Sequence, residues 1–218
     1  PRGKVLGGSS SVNAMIYMRG VPGDYNAWAA EGNVGWGWDE VLPFFKRSEH
    51  NERGADAWHG TGGPLNVMDL SDPNPFSEAF VEAGVQAGHA HNRDFNGAVQ
   101  EGVGLYQVTH RGGERCSAAS AYLTPSRARP NLHVLTGAHA TRVLLEHGRA
   151  VGVAYLQDGE EKTLRVEREV ILAAGSFQSP QLLMLSGIGP ADHLRQHGID
   201  VLHDLPGVGA HLHDHPDV

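Results

Sequence analysis

The sequence predicts an α/β protein with a mixed sheet, and three observations carry that expectation. Short β-rich runs divided by turn signals crowd residues 132–174, helical runs flank them, and one run, Glu169 to Ala174, is apolar almost throughout. Such a run suits a parallel strand covered on both faces. Glycine supplies 29 of 218 residues, nearly twice the usual ~7%, while glycine and proline together stay below the ~25–30% of low-complexity chains. The glycines therefore read as turns and close backbone approaches. With 40% hydrophobic and 19% charged residues the chain is globular, and it is long enough to bury a sizeable core.

The elements follow in order. A Gly/Ser turn opens the segment from Val5 to Gly20, and residues 12–18 after it are a short helix or a buried strand, between which periodicity does not decide. Residues 24–30 read as a helix capped by Asp24, and 39–48 as another, with Pro43 in its first turn or at a kink. Residues 51–75 are turn-rich around one strand at 65–68. Apolar positions 76, 80, 81 and 85 give an amphipathic helix over 76–87 that ends at Gly88. A strand at 105–109, a turn at Gly112-Gly113 and a helix over 117–123 stopping before Pro125 come next. Strands are expected at 132–136, 140–146, 151–157 and 163–167, with a hairpin turn at Asp158-Gly159. The strand 169–174 closes on Gly175, and a helix over 179–185 follows, with Ser179 and Pro180 as its N-cap and first residue. No internal repeat occurs, and no linker divides the chain cleanly.

Charge and cysteine content exclude several functions. A formal charge of −8 argues against a nucleic-acid surface, which needs Lys and Arg to neutralise phosphates. Cys116 is the single cysteine, so an internal disulfide and a Cys-rich zinc site are ruled out, in keeping with a reducing compartment. No run approaches the ~18–20 apolar residues that span a bilayer, and no signal peptide is visible. The expected location is the cytoplasm, or the periphery of the inner membrane. The chain opens on Pro1-Arg2-Gly3-Lys4 without an initiator Met and stops at Val218, so both ends read as cut and the chain as an internal piece of a longer protein.

Two patterns could carry chemistry. In Gly7-Gly8-Ser9-Ser10-Ser11-Val12-Asn13, small residues let the backbone approach a ligand and offer N–H groups to an anion, although an ordinary tight turn looks the same. It is not a G-x-G-x-x-G turn. The second is the strand–Gly175–helix unit, whose helix N-terminus at the carboxyl edge of a sheet is where dinucleotide phosphates sit, and a plain β–loop–α crossover is again the alternative. His211, His213 and His215 suggest a metal cluster, but alternate spacing lacks the i, i+4 geometry of a helical zinc site. No G-x-S-x-G elbow supports Ser9 to Ser11 as nucleophiles, and Cys116 reads as a small core residue.

Taken together, the segments resemble the glucose–methanol–choline oxidoreductase family. Its first signature is similar to the run from Gly3 to Gly20, and its second to the run from Gly175 to Gly189. Between them Asp24-Tyr25-Asn26-Ala27-Trp28, Trp36-Gly37-Trp38, Trp58-His59-Gly60, Asp94-Phe95-Asn96-Gly97 and the run from Ser117 to Leu123 recur in family order. The likeness is to the choline dehydrogenase and long-chain or aromatic alcohol dehydrogenase branch. It implies an FAD-binding Rossmann-like domain, incomplete here, with part of an α+β lid or substrate region: residues 1–50 and 129–218 in the FAD-binding domain and 51–128 in the lid.

The resemblance also implies that a primary alcohol, choline-like, aliphatic or aromatic, gives a hydride to flavin N5 after a base takes its hydroxyl proton. Val5, Gly7, Gly8, Asn13, Ala14, Met15 and Ile16 are expected to line the flavin and pyrophosphate. Ala140 is expected to meet the adenine through its backbone, and Gly175 to pack near the phosphates. Relatives that tether FAD covalently have His where this chain has Val12, so non-covalent FAD is expected. The turn from Gly207 to Pro216 departs from the family pattern, with His211 in place of Asn. The G-x-G-x-x-G turn is expected before Pro1 and the catalytic His after Val218, so no catalytic residue and no metal ligand is assigned, and the piece alone is expected to be inactive. An electron acceptor, a quinone or another carrier, is expected to reoxidise the flavin. Alternatives are an alcohol oxidase of the same family, a non-catalytic truncated binding module, and a metal protein using the three histidines.

Overall fold

Aromatic side chains decide how the first two helices pack. Tyr25 lies in α1 (Pro22–Ala30), and its ring centroid is 5.4 Å from Trp28, 5.5 Å from Trp38 and 5.7 Å from Phe45, the last two in α2 (Trp38–Ser48). The computed structural model describes residues 2–214, so Pro1, His215, Pro216, Asp217 and Val218 lie outside the described residues. The chain divides into two units, Pro1–Leu132 and His133–Val218.

In the first unit α1 starts two residues earlier than expected. Pro22 opens it, since proline at the first position gives up an N–H that has no helical partner anyway. Asp24 is therefore not the cap; it sits in the first turn, where Oδ2 accepts the Val21 N–H at 2.9 Å. Pro43 lies in the second turn of α2 rather than the first. Strand β1 (Glu49–Asn51) follows at once and pairs in parallel with β2 (Leu65–Val67). β1 has no apolar alternation to announce it. The return between the two strands hugs α2: a Cβ on Gly60 would stand 1.9 Å from the Lys46 carbonyl oxygen.

Helix α3 (Pro75–Gln86) is capped by the Asn74 side chain, which accepts the Phe76 N–H at 2.9 Å. Only part of the expected apolar face packs, at Val81. Phe76 and Phe80 are 86% and 72% exposed, because Val81 and Gly84 turn inward and the missing side chain of Gly84 admits Val103. Residues 105–109 form no continuous strand; Val108 makes single antiparallel bridges to Ile16 and Met68. Residues 12–18 are likewise neither helix nor strand beyond that bridge; their backbone groups are shared between main chain, as Tyr17 N–H to Gln107 O, and side chains, as Met15 N–H to Asn13 Oδ1. The hairpin of β3 (His110–Arg111) and β4 (Glu114–Arg115) turns at Gly112-Gly113 as expected. The helix after Ser117 does not stop before Pro125. A π-helical turn, Ala119–Leu123, passes directly into α4 (Thr124–Ser126), where Pro125 falls in the first turn and its missing N–H costs little.

The second unit is built on an antiparallel meander, β5 (His139–Glu146), β6 (Arg149–Gln157) and β7 (Glu160–Arg165). Both connections are two-residue turns with positive φ at each position, His147-Gly148 at 51° and 76° and Asp158-Gly159 at 56° and 81°. That is the turn whose twist matches a hairpin; the first was hidden because histidine is not a turn residue by composition. Residues 132–136 are not a strand, and the expected strand at 163–167 begins and ends earlier, at 160–165. Residues 169–174 are not a strand either. Among the described residues no segment pairs with them, and an extended run without a neighbour leaves its N–H and C=O groups to solvent; Ile171 is 79% exposed.

Helix α5 (Gly175–Leu185) begins at Gly175 and runs through Ser179 and Pro180, so these are interior positions. Ser179 instead reaches back, its Oγ accepting the Ala174 N–H at 3.0 Å. α5 docks on β5 through buried Leu182 and Ser186, whose Oγ accepts the Val143 N–H at 2.8 Å. After Gly187, β8 (Ile188–Gly189) pairs in parallel with β9 (His203–Asp204) across α6 (Ala191–Gln196), whose Leu194 is fully buried.

Two glycine substitutions separate close approach from mere flexibility. Gly60→Ala is expected to destabilise the protein by roughly 1–3 kcal/mol. Gly23→Ala, in α1 with open space around it, is expected to be neutral or to stabilise by up to ~1 kcal/mol. Denaturant midpoints at unchanged m-value report both.

Candidate cofactor site

The loop that enters from Val5 is shaped by left-handed backbone at three places. Gly7 and Gly8 have φ of 88° and 56°, and a 3-10 turn, Gly8–Ser11, follows. Gly8 N–H donates to the Val5 carbonyl at 3.0 Å, Ser10 Oγ to Gly7 O at 2.5 Å and Ser11 Oγ to Leu6 O at 2.8 Å. The serine hydroxyls are thus committed to holding the turn, which accounts for them without nucleophilic chemistry. A Cβ on Gly7 would strike Ser11 Oγ at 2.5 Å, whereas the space beside Gly8 is empty to 4 Å. Met15 has φ 63°, a conformation that costs a non-glycine residue roughly 1–2 kcal/mol. Asn13 holds it there: Oδ1 accepts the Met15 N–H at 3.1 Å and Arg115 Nη1–H at 2.8 Å. Val5, Leu6, Val12 and Ile16 stay 42–56% exposed around this turn. An apolar rim beside an approachable glycine backbone suits a large, flat ligand with a polar tail.

The chain leaves the loop through a buried polar cluster. Asn96 works as a strand substitute, its Oδ1 accepting the Arg19 N–H at 2.7 Å and its Nδ2 donating to Tyr17 O at 2.9 Å. Tyr17 N–H donates to Gln107 O at 2.9 Å. The Arg19 guanidinium, 5% exposed, donates to the Trp58 carbonyl at 2.7 Å and pairs with fully buried Glu49. Glu49 Oε1 also meets His59 Nδ1 at 2.9 Å, and His59 Nε2 meets Asp94 Oδ2 at 3.0 Å. Asn51 Nδ2 spends its two hydrogens on Glu49 Oε1 and Gln107 Oε1, at 2.8 and 2.9 Å. A carboxylate at each ring nitrogen favours the imidazolium form of His59.

The titration of the cluster follows from this geometry. The hydrogen bond to Glu49 raises the His59 pKa, burial opposes that, and the bond to Asp94 reinforces it. Burial alone would push the Glu49 carboxyl up, but hydrogen bonds from His59 and Asn51 and the Arg19 charge hold it below the ordinary range. Desolvation raises the Tyr17 phenol. Arg19, Glu49 and His59 are buried, and their hydrogen bonds tie together segments distant in the chain.

The structure gathers seven of the nine expected cofactor residues, Val5, Gly7, Gly8, Asn13, Ala14, Met15 and Ile16, into the one loop of the first unit. The other two lie in the second unit. Ala140 is exposed on β5 opposite Tyr155, and Gly175 is the exposed first residue of α5 at φ 90°, with nothing within 4 Å of its missing side chain. His211 takes a left-handed turn position at φ 56°, and among the described residues no three His, Cys, Asp or Glu are placed to hold a metal. Cys116 is buried, accepting the Asn66 N–H at 3.4 Å. The polar cluster was assigned no role by sequence reasoning, although Arg19, His59, Asp94 and Asn96 all fall inside motifs already singled out.

Linkage gives the cluster a pH signature. His59, with its folded pKa raised, stabilises fully below its unfolded pKa of about 6.5, and that contribution disappears as pH rises through the folded value. Glu49, with its folded pKa lowered, stabilises above about pH 4.3, and loses this as pH falls through its folded value. The stability gap between wild type and His59→Gln is therefore expected to be largest near pH 5–6 and to shrink toward pH 9, as read from melting temperatures across that range. Glu49→Gln, which strands Arg19, is expected to cost roughly 3–5 kcal/mol at neutral pH.

Comparison with known proteins agrees with this architecture. The chain is 52% identical over 221 residues to alcohol dehydrogenase [acceptor] of Pseudomonas putida, covering 100% of this chain and 40% of that protein. It is 51% identical to the oxygen-dependent choline dehydrogenase of Rhizobium etli, over 99% of this chain and 39% of that one. The chain thus spans about 40% of the length of these curated relatives. Among solved structures, pyridoxine 4-oxidase from Mesorbium loti superposes with a TM-score of 0.88 at 39% identity, over 94% of this chain and 41% of that one. A fungal aryl-alcohol oxidase superposes with a TM-score of 0.83 at 28% identity, over 95% and 38%. The mixed helix and sheet content is that of an incomplete domain of this type. The model of the GMC oxidoreductases matches residues 1–217, and the chain belongs to that family.

Proposed function

We propose that the protein containing this chain is an FAD-dependent dehydrogenase of primary alcohols, and that the loop from Val5 to Ile16 is its flavin contact. The observation that carries the reading is the form of this loop, in a chain half identical to alcohol and choline dehydrogenases. The residues fit the cofactor: the space beside Gly8 is open, Met15 is held in a strained turn, and apolar side chains face outward without partners in the loop itself. When bound, FAD supplies the hydride acceptor, at flavin N5.

The protein's own residues bind and orient. Val5 and Ile16 cover the ring, the backbone around Gly7, Gly8 and Asn13 to Met15 faces the flavin and pyrophosphate, Ala140 meets the adenine through its backbone, and Gly175 admits the phosphates. Val12 carries no nucleophilic atom, which supports non-covalent binding. No group here takes the alcohol proton. Among the described residues the one deeply buried histidine, His59, already serves two carboxylates, so we assign the base to the remainder of the protein, and these 218 residues alone are expected to oxidise no alcohol. Among the described residues no helix is long and apolar enough to cross a membrane, and we place the enzyme in the cytoplasm, passing electrons to a quinone or another carrier. Oxygen as acceptor is the second reading, favoured by the oxidase names of the solved relatives.

The full-length protein is expected to be yellow, to release its flavin into the supernatant on acid precipitation, and to bleach anaerobically with choline, 1-octanol or benzyl alcohol. No bleaching by any of the three contradicts alcohol oxidation, and a yellow acid precipitate contradicts non-covalent binding. Faster reoxidation by a quinone analogue than by oxygen marks the dehydrogenase; the reverse marks the oxidase.

A further inference from the structure

We propose that Arg115 is a positioning residue for the cofactor, clamping the loop from Gly7 to Met15 in its receiving conformation. This rests on the reading of that loop as the flavin contact. Arg115 lies a hundred residues away in sequence, on the two-residue strand β4, yet one guanidinium nitrogen serves two points of the loop. Nη1 donates to Asn13 Oδ1 at 2.8 Å and to the Ser10 carbonyl at 3.2 Å. The same Asn13 oxygen accepts the Met15 N–H, so the arginine fixes the side chain that in turn fixes the strained residue. The next turn of chain adds a second hold, for the Ala118 N–H donates to Ser10 Oγ at 2.9 Å while that hydroxyl donates to Gly7 O.

Three left-handed residues, Gly7, Gly8 and Met15, lie within nine positions, and such a loop has many alternative states. A rigid hairpin reaching in from outside removes them before the ligand arrives, which is preorganisation of the site. A charge-assisted bond to Asn13 is stronger than the amide–amide contact glutamine could offer, and the planar guanidinium reaches both acceptors at once. A lysine ammonium keeps the charge but on a shorter side chain without the planar fork, so it restores part of the effect.

The test uses the full-length protein, stripped of flavin and titrated with FAD while flavin fluorescence and the bound-flavin absorbance spectrum are followed. Arg115→Gln is expected to weaken FAD binding roughly tenfold to a hundredfold and to change the bound-flavin spectrum, with the melting temperature of the stripped protein little moved. Arg115→Lys is expected to fall between. Asn13→Ala is expected to weaken binding too, and the double variant Asn13→Ala with Arg115→Gln to lose no more than the worse single one, because both act through one contact. Unchanged affinity in Arg115→Gln, or additive losses in the double variant, overturns the proposal. Ala14→Trp, at an exposed loop position, separates this failure from that of the underlying reading: it blocks FAD if the loop is the flavin contact, and wild-type affinity in it sinks the loop reading itself.

Discussion

The pairing of Arg19 with Glu49 is the constraint on which the first unit depends. Two charges with almost no exposure cannot be left single, since an unpaired buried ion costs several kcal/mol, so each must find the other whenever this region folds. Arg19 ends the segment that leaves the glycine-rich loop, and Glu49 begins β1, so their pairing brings together chain thirty residues apart. His59 and Asp94 extend it to the return loop and to the irregular segment beyond α3, and Asn96 and Gln107 hold the backbone that leads into Arg19, at Tyr17 and at the Arg19 N–H. A region with few long strands is thereby given one arrangement by charge and hydrogen bonding. Apolar burial alone, with Val67 and Val108 as its centre, would specify it less sharply.

That dependence explains which parts were legible in the sequence. Helices α1, α2 and α3, the two long hairpin strands and the turn at Asp158-Gly159 rest on local chemistry, and all were foreseen within a few residues. The failures are non-local. Residues 169–174 have the composition of a buried strand, but a strand exists only with a neighbour, and none of the described residues provides one. Pro22, Pro125 and Pro180 shifted helix boundaries because proline marks a first turn or an interior position according to what precedes it. Phe76 and Phe80 suggested a core face, yet the packing of α3 is decided by the absence of a side chain at Gly84.

The candidate site was legible as a loop but not as a machine. Gly7, Gly8 and Asn13 stood out in a run of small residues that an ordinary tight turn would also explain, and the family resemblance gave them their expected role. Nothing local connects Asn13 with Arg115, or His59 with Glu49 and Asp94; such partners meet only in the fold. The motif Trp58-His59-Gly60 shows the point well, since His59 is held by two carboxylates while Gly60 permits contact with Lys46. One tripeptide serves charge burial and backbone packing together.

The central claim is the proposal that the loop from Val5 to Ile16 contacts bound FAD. Hydrogen–deuterium exchange on the full-length protein, with flavin removed and restored, tests it most directly. The account predicts slower exchange on restoring FAD across residues 5–16, with little change across the buried polar cluster at 49–51 and 58–60. Slowing confined to other parts of the protein, with residues 5–16 unaffected, would contradict it.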